Sequence, residues 1–269
     1  MSLNASPIIP WMGGKSRLAE RLFHLFPPHR CYVEVFCGGA ALYFLRPMPA
    51  QAEIINDING DLVNLYRVVQ HHLDAFVQQF RWALSSRRMF EWMRLTNTDT
   101  LTDIQRAARF FYLQQHAFGA RIEGQNFGTA TTGPVVNLLR IEESLSAAHL
   151  RLAGGTCVEN LPWRACVAKY DREHTFFYMD PPYWQTEGYG VPFAWEEYEA
   201  MAAFMRQAKG RVMVSINAHP DIRALFAEFW MEELSIKYTV GNQHGVGAVP
   251  ASQELVIMNY QDESLGGLF

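Results

Sequence analysis

Hydrophobic positions along the chain follow two different periods. Short apolar runs of strand length are found at residues 31–36, 52–56, 175–179, 211–216, 232–238 and 254–260. Apolar residues three and four apart mark one face of a predicted helix at residues 195–208. Further helices are predicted over residues 15–26 and 40–45 and from residue 59 onward. Strands that alternate with helices in this way predict an α/β fold, a sheet with crossover connections.

The middle of the chain interrupts this alternation. It contains long helical stretches, many arginine and aromatic residues, and an irregular loop at residues 119–134. We therefore predict that residues 1–65 and 150–269 form one α/β domain, and that residues 66–149 form a mainly helical insert within it.

Charge is distributed unevenly between the two parts. The whole chain has 23 Lys and Arg residues against 27 Asp and Glu residues, a net charge of -4, which excludes a uniformly basic coat. Residues 79–121 have seven arginines and no lysine against three acidic residues, a local balance of +4. An insert that faces a polyanion would show this asymmetry, and so would arginines on solvated helix faces. Charge alone leaves both interpretations open.

The cysteine and hydropathy patterns set the expected class of protein. The four cysteines are far apart, and no apolar run reaches the roughly 20 residues that span a bilayer. We expect a soluble, cytoplasmic protein with no membrane contact. The nine histidines have no metal-ligand spacing, so no metal is expected.

A glycine turn follows the first predicted strand. Gly38 and Gly39 come directly after residues 31–36 and before a predicted helix. In an open α/β sheet such a turn lies at the carboxyl edge, where a ligand can approach the backbone without a Cβ in the way. Asp57, 19 residues after Gly38, is placed to accept hydrogen bonds from the hydroxyls of an adenosine ribose. By itself, a strand–glycine–helix turn is more often structural.

The tetrapeptide Asp180-Pro-Pro-Tyr183, directly after an apolar strand, is the strongest chemical signal. The lone pair of an exocyclic amine on a base is delocalised into the ring, so this amine is a poor nucleophile. A carboxylate and a fixed main-chain carbonyl that accept from both of its N–H groups favour tetrahedral nitrogen. Pro181 and Pro182 fix the backbone, and Tyr183 offers a flat face for a base.

The sequence lacks the motifs that mark other catalytic mechanisms. The sequence has no G-x-S-x-G, no H-E-x-x-H and no Pro-Cys nucleophile for attack on cytosine carbon. A phosphate loop ending in Gly14-Lys15-Ser16 would need glycine at position 9, where the chain has Ile9.

With these motifs in order, the chain resembles the Dam-type adenine-N6 DNA methyltransferases of the alpha class. The resemblance covers most of the chain and rests on Trp11-Met-Gly-Gly-Lys15, Glu34-Val-Phe-Cys-Gly38, Asn56–Asp61, Asp180–Tyr183 and Ser215-Ile-Asn217. It implies a Rossmann-like sheet that binds S-adenosylmethionine and a helical insert that recognises DNA. The residues that it assigns to the cofactor are Trp11, Lys15, Glu34, Phe36, Gly38, Asp57 and Asp180.

The same resemblance implies the catalytic roles. Asp180 and the Pro181 carbonyl would hold the target N6, Pro182 would fix the turn, and Tyr183 would stack on a flipped-out adenine. Methyl transfer would be in line from the sulfonium, with no metal and no covalent enzyme intermediate.

Candidate DNA contacts come from the insert and from a late loop. Arg121 is placed to read a guanine, the commonest specific contact of arginine, and Phe118 to act as a wedge or a stacking residue. We also expect contacts from Asn126 and from His244, which lies in a glycine-rich loop at residues 241–250. The segment 114–121 departs from the recognition hairpin of Dam-type enzymes, so their GATC target does not carry over. Residues 123–134 resemble prophage-borne relatives instead.

The expected partner is double-stranded DNA, bound by a monomer or weak dimer, and a cognate restriction enzyme is a candidate second partner. Two alternatives stay open at this point. One is an amino-cytosine N4 methyltransferase, or an enzyme that acts on RNA or on a glutamine amide. The other is a catalytically silent DNA-binding module occupied by S-adenosylmethionine.

Overall fold

We analysed a computed structural model of the chain, which describes residues 5–122, 124–128, 140–186, 193–236 and 252–261. Seven strands form one sheet in the order β3-β2-β1-β4-β5-β7-β6. The strands are β1 (Cys31–Glu34), β2 (Ala52–Asn56), β3 (Cys157–Glu159), β4 (Thr175–Met179), β5 (Arg211–Asn217), β6 (Trp230–Ile236) and β7 (Ser252–Met258).

Strand direction divides this sheet into two parts. Strands β1 to β5 pair in parallel, whereas β7 lies antiparallel between β5 and β6. In the centre, Val33 on β1 is opposite Ile54 on β2 and Phe177 on β4. The predicted α/β, Rossmann-like fold is confirmed.

Burial explains why the central strands lack an alternating pattern. Every residue of β1 and β4 is buried, because helices cover both faces of the sheet. Successive side chains point to opposite faces, so Phe176 packs into the core on one side and Phe177 into the core on the other.

Ten α-helices connect and cover the strands in the described part of the chain. They are α1 (Ala19–His24), α2 (Ala41–Leu45), α3 (Gly60–His71), α4 (Leu73–Gln78), α5 (Arg87–Leu95), α6 (Asp103–His116), α7 (Ile141–Ala153), α8 (Trp163–Tyr170), α9 (Trp195–Gln207) and α10 (Pro220–Leu225). None of them is long and apolar enough to cross a membrane.

Side-chain caps fix the start of several helices in the middle of the chain. The Asn59 side chain accepts from two backbone N–H groups at the start of α3. Ser86 caps α5, and Thr102 forms a capping box with Gln105 at the start of α6.

The predicted helical insert shares its core with the sheet. Phe76, Phe111 and Leu145 belong to the same hydrophobic cluster as Tyr32 and Phe176 on the central strands. The predicted domain boundaries at residues 65 and 149 fall inside α3 and α7, so these two helices extend from the sheet into the insert. The division into domains stays a prediction.

Apart from shifts of one or two residues at strand ends, two elements differ from the sequence prediction. The helix predicted over residues 15–26 is a 3-10 turn, Lys15–Arg17, followed by the short α1. It ends early because Leu25 and Phe26 bond to carbonyls three residues back, ahead of Pro27. The edge strand β3 was not predicted, since three residues are too few to show a period.

Candidate active site

The carboxyl ends of the parallel strands surround a cavity of about 440 Å³. Glu34 ends β1, Asp57 follows β2, and Asp180 follows β4. All seven residues predicted to bind cofactor line this cavity: Trp11, Lys15, Glu34, Phe36, Gly38, Asp57 and Asp180. Of the predicted catalytic residues, Pro182 also lines it, while Pro181 and Tyr183 lie beside it in sequence.

The glycine turn after β1 packs against the Trp11 indole. Gly38 has φ +45°, and a Cβ on it would lie 2.4 Å from Trp11 Nε1. A Cβ on Gly39 would lie 2.8 Å from Trp11 Cβ. Real Cβ contacts are not this short, so both glycines are needed to seat Trp11 in the cavity wall.

Asp57 braces the same turn. Its Oδ2 accepts from the Gly38 N–H at 2.9 Å, and its Oδ1 accepts from the Asn59 N–H at 2.9 Å. The Tyr66 hydroxyl donates to the Gly38 carbonyl at 2.6 Å. The Ile58 N–H also acts on the Asp57 carboxylate. Since a carboxylate has about four acceptor sites, Asp57 can still accept from a ligand hydroxyl.

Glu34 is a buried carboxyl in the cavity wall. Its Oε2 accepts from the Tyr32 hydroxyl at 2.8 Å and from the Tyr43 N–H at 3.0 Å. Burial raises the pKa of Glu34 to about 8, although both hydrogen bonds oppose the rise. A cation bound in the cavity would favour the ionised form of this group.

Asp180 pairs with Lys15 in the cavity wall. The Lys15 ammonium donates to both carboxylate oxygens at 2.6 Å and to the Gly13 carbonyl at 3.1 Å. Burial would lower the pKa of Lys15, but the carboxylates of Asp180 and Glu254 outweigh it and raise that pKa above its ordinary value. Burial raises the pKa of Asp180 to about 6, against the opposing effect of Lys15.

We refer to Lys15, Asp180 and Glu254 as the carboxyl-edge network. Glu254, on β7, lies 3.5 Å from Lys15 Nζ and accepts from the Tyr183 hydroxyl at 2.5 Å. Glu254 is not among the site residues that the sequence predicts. The only signal was a carboxylate at the head of an otherwise apolar strand.

Late elements fix the backbone of the Asp180–Tyr183 tetrapeptide. The Pro182 carbonyl accepts from the Tyr198 hydroxyl at 2.6 Å. The amide of Asn217, the last residue of β5, bonds both the N–H and the carbonyl of Trp184. No described residue donates a hydrogen bond to the Pro181 carbonyl, which is therefore the acceptor left for a ligand.

The predicted DNA contacts Phe118, Arg121 and Asn126 lie on two facing segments, residues 117–122 and 124–128, which we call the hairpin. The Phe118 N–H donates to the Asn126 carbonyl, and an isolated bridge joins Ala117 to Phe127. Phe118 is 71% exposed, and Arg121 and Asn126 are also exposed. Ile122, next along the chain, lines the cavity, so the hairpin lies at the cavity wall. His244 lies outside the described residues.

Gln114 is a second residue that the sequence analysis missed. This buried amide donates to the Pro10 carbonyl at 3.0 Å and to the Ala120 carbonyl at 2.9 Å. It accepts from the Gln125 side chain. Gln114 therefore ties the hairpin to the chain just before Trp11.

Most arginines of residues 79–121 are of two kinds. Arg94 pairs with Glu91 and Arg106 with Asp103, each at 2.8 Å, as expected for solvated helix faces. Three others lie over aromatic rings and make no ion pair with a described residue: Arg81 over Trp82, Arg87 over Phe127 and Arg88 over Trp92. Arg109 is of neither kind, since it donates to the Met93 and Arg94 carbonyls. The local excess of positive charge comes from the arginines without an ion pair to a described residue, including Arg109 and Arg121.

Among the described residues, no three histidine, cysteine or acidic side chains are grouped as metal ligands. The cavity instead combines four carboxyl groups, one of them the Glu34 carboxyl with its raised pKa, with two cations. One of these cations, Arg164, pairs with Glu197 at 3.1 Å. This excess of carboxylate suits a cationic ligand with hydrogen-bonding groups.

Comparison with known proteins agrees with this geometry. A sequence model of the D12 class N6 adenine-specific DNA methyltransferases matches residues 11–240. The Type II methyltransferase M.CviBI of Paramecium bursaria Chlorella virus NC1A is 25% identical, and the match covers 94% of this chain and 99% of that protein. The retron Ec67 DNA adenine methylase of Escherichia coli is 24% identical, over 89% of this chain and 87% of its own.

A third relative is longer. The DNA N-6-adenine-methyltransferase of Escherichia phage P1 is 27% identical over 89% of this chain, which spans only 34% of that protein. The family match confirms the resemblance to Dam-type enzymes that the motifs indicated. The chain belongs to the D12 class of N6 adenine-specific DNA methyltransferases, enzymes that transfer a methyl group from S-adenosylmethionine to N6 of a flipped-out adenine in DNA.

Proposed function

We propose that the cavity at the carboxyl edge holds S-adenosylmethionine and that Asp180, Pro181 and Tyr183 hold the target adenine beside it. The observation that carries this proposal is the convergence of all seven predicted cofactor residues on one cavity. These residues come from four separate stretches of the sequence, and chance would not bring them together.

The residues present fit this cofactor. In the proposed arrangement, Asp57 accepts from the ribose hydroxyls, Trp11 and Phe36 provide apolar walls, and Glu34 and Asp180 face the cationic part. Bound S-adenosylmethionine supplies a methyl group on a positively charged sulfonium, which the excess of carboxylate stabilises. No metal is part of the proposal.

Asp180 and the Pro181 carbonyl are proposed to accept hydrogen bonds from the two N–H groups of N6. Because the pKa of Asp180 is about 6, its carboxylate is mainly ionised at neutral pH and able to accept. Tyr183, anchored by Glu254, is proposed to stack on the extruded base. Extrusion costs a few kcal/mol of lost stacking and pairing, which contacts to the duplex must offset.

The helical insert, residues 66–149, is proposed to supply those contacts, with the remainder of the chain as the catalytic domain. Phe118, Arg121 and Asn126 project from the hairpin that Gln114 ties to the cavity wall. Arg81, Arg87 and Arg88 add positive charge on the same insert, which suits the phosphate backbone. His244 is proposed as a further contact from its loop.

The biological setting is also a proposal. The chlorovirus relative is named a Type II methyltransferase, which suggests that this chain protects DNA against a cognate restriction enzyme. We propose that it works in the cytoplasm, as a monomer or weak dimer, on double-stranded DNA. The bases that flank the target adenine follow from none of these observations.

The test is methyl transfer from tritiated S-adenosylmethionine into unmethylated genomic DNA, followed by nucleoside analysis and modification-resolved sequencing. N6-methyladenine in a fixed sequence context is the expected result, and it would also supply the recognition site. N4-methylcytosine would overturn the base assignment. Absence of incorporation despite binding of S-adenosylmethionine would overturn the proposal in favour of a silent DNA-binding module.

The proposed DNA contacts have a separate test. Replacing Arg121 with alanine should relax the preference for one flanking base pair, with a loss of about 1–3 kcal/mol in discrimination. Replacing Arg88 should weaken binding to all sequences alike and reduce its salt dependence, because phosphate contacts carry no sequence information. If Arg121→Ala left both affinity and sequence preference unchanged, its assignment would be wrong.

A further inference from the structure

Glu254 lies where three parts of the active site meet. It faces Asn217, the last residue of β5, across the β5–β7 pair, and its side chain is only 1% exposed. One carboxylate oxygen, Oε2, accepts from the Tyr183 hydroxyl at 2.5 Å. The other, Oε1, is 3.5 Å from Lys15 Nζ and accepts no hydrogen bond from the described residues. Oε1 of this buried carboxylate can therefore accept a further hydrogen bond.

The donors of Lys15 explain the uncommitted oxygen. An ammonium has three N–H donors. Those of Lys15 are directed at the Gly13 carbonyl and at the two oxygens of Asp180. None is left for Glu254, even though its Oε1 lies within ion-pair distance.

This arrangement conflicts with the proposed task of Asp180. To hold the target amine, Asp180 must direct a lone pair at an N–H group of N6. Lys15 donates to both of its oxygens at 2.6 Å, and the Ser215 hydroxyl lies 3.4 Å from Oδ1. Each oxygen has a second lone pair, but the ammonium and the amine compete for the negative charge of this one carboxylate. An acceptor of equal charge next to Lys15 would relieve this competition at little cost, because the ammonium stays paired throughout.

We infer that Glu254 is a positioning residue for methyl transfer: it anchors the Tyr183 ring and provides the second acceptor to which Lys15 turns when Asp180 engages the adenine amine. The inference rests on the proposed function of Asp180 and Tyr183. No covalent step involves Glu254, which acts through Lys15 and Tyr183 alone.

The test variant is Glu254→Gln, which keeps the size of the side chain. Its amide oxygen can still accept from the Tyr183 hydroxyl, while the loss of charge weakens any pairing with Lys15. We expect the rate of methyl transfer under single turnover to fall roughly 10- to 100-fold, the scale of a misplaced catalytic group. The affinities for S-adenosylmethionine and DNA should stay within about threefold, because the variant changes positioning and not the binding surface.

The pH profile separates positioning from a merely structural role. Groups facing Glu254 in the described chain are Lys15, Asp180, Tyr178, Tyr183 and, diagonally on β6, Glu232. Of these, Asp180 has a pKa that the Glu254 charge raises. Removal of that charge should therefore move the acid limb of the activity profile to lower pH.

Two further variants complete the experiment. Glu233 precedes Leu234, the residue of β6 that lies opposite Glu254, and its exposed side chain pairs with Arg223. Glu233→Gln therefore removes a nearby carboxylate outside the active site, and its rate and pH profile should match the wild type. Glu254→Asp keeps the charge but shortens the reach to Tyr183, so its rate should fall while the acid limb stays in place. This second variant also tests the inference if Glu254→Gln fails to fold.

A wild-type rate and acid limb for Glu254→Gln would overturn the inference, and so would a moved acid limb for Glu254→Asp. Either result leaves the proposed function standing, provided that the wild-type enzyme forms N6-methyladenine. Failure of the wild type to do so would instead overturn the proposed function.

Discussion

Two buried ion clusters lie at opposite edges of the same sheet. The carboxyl-edge network joins Lys15, Asp180 and Glu254 where the parallel strands end. At the amino edge, Arg46 and Arg151 both pair with Glu53, near the start of β2. We call these three residues the amino-edge cluster.

The side chains of both clusters are largely buried, but the two clusters differ in the sign of their excess charge. The carboxyl-edge network has two carboxylates for one ammonium, and Lys15 and Asp180 line the cavity. The amino-edge cluster has two guanidinium groups for one carboxylate, and none of its members lines the active-site cavity. Its excess cation lies over aromatic rings instead, with Arg46 on Tyr32 and Arg151 on Tyr43.

Burial of charged groups therefore does not by itself identify an active site. Both clusters are buried, and both leave polar atoms without a hydrogen-bond partner among the described residues. What distinguishes them is access to a cavity and an excess charge that a ligand could neutralise. On this basis we expect the amino-edge cluster to stabilise the fold and the carboxyl-edge network to act on the substrate.

Removal of Glu53 from the amino-edge cluster should have the largest effect on stability. Glu53→Ala leaves two buried guanidinium groups without a counter-charge, and we expect a loss of about 3–5 kcal/mol in the free energy of unfolding. Urea denaturation measures this loss. The matched control is Glu91→Ala, which removes the partner of exposed Arg94 and should change stability by less than about 1 kcal/mol.

The activity of the Glu53→Ala variant matters as much as its stability. At a temperature where the variant is folded, its rate of methyl transfer should equal that of the wild type. A slow rate from fully folded protein would show that the amino-edge cluster also serves the chemistry.

The glycine turn offers the second test. Gly38→Ala places a Cβ 2.4 Å from Trp11 Nε1 at a positive φ, so the indole must leave its position in the cavity wall. We expect affinity for S-adenosylmethionine to fall roughly tenfold or more, since about 1–2 kcal/mol of backbone strain adds to the clash. Isothermal titration calorimetry measures the affinity.

Gly155→Ala separates the two causes of that loss. Gly155 also has a positive φ, +110°, but a Cβ there would meet nothing within 4 Å. This variant should lose stability and keep its affinity. Equal losses of affinity in both variants would mean that backbone strain, not displacement of Trp11, weakens binding.

The pH dependence of the rate is the third and smallest effect. Because burial raises the pKa of Asp180 to about 6, protonation below that pH removes the acceptor for the amine. The rate under single turnover should be nearly constant from pH 7 to 8 and should fall about tenfold per pH unit well below pH 6. Parallel measurement of unfolding excludes acid denaturation, and a flat profile down to pH 5 would contradict the assignment.

The sequence predicted the sheet well where strands are buried on both faces. The predicted bounds of β2 and β4 agree with the structure, because polar residues directly flank both runs. The fully buried β1 ends at Glu34, two residues before its predicted end, where the glycine turn begins. The edge strand β3 has too few residues for such a signal, and β6 and β7 each begin two residues earlier than predicted.

The site was predictable only in part. Asp57 and Asp180 follow strands directly, so their strand positions alone bring them to one edge of the sheet. Glu254 reaches that edge because β7 returns antiparallel beside β5, a topology that no local pattern encodes. Gln114 lies inside a helix, and its role depends on contacts more than 100 positions away in sequence, with the Pro10 carbonyl.

The most direct test of the account replaces Asp180 with alanine and identifies the methylated nucleoside formed by each protein under single turnover. We predict N6-methyl-2′-deoxyadenosine from the wild type and at least a roughly thousandfold slower reaction from Asp180→Ala. The variant should still bind DNA, and Glu254, 3.5 Å from Lys15 Nζ, stays as a counter-charge for this buried ammonium. Urea denaturation checks that the variant is folded under the assay conditions. Transfer by Asp180→Ala at the wild-type rate would contradict the account.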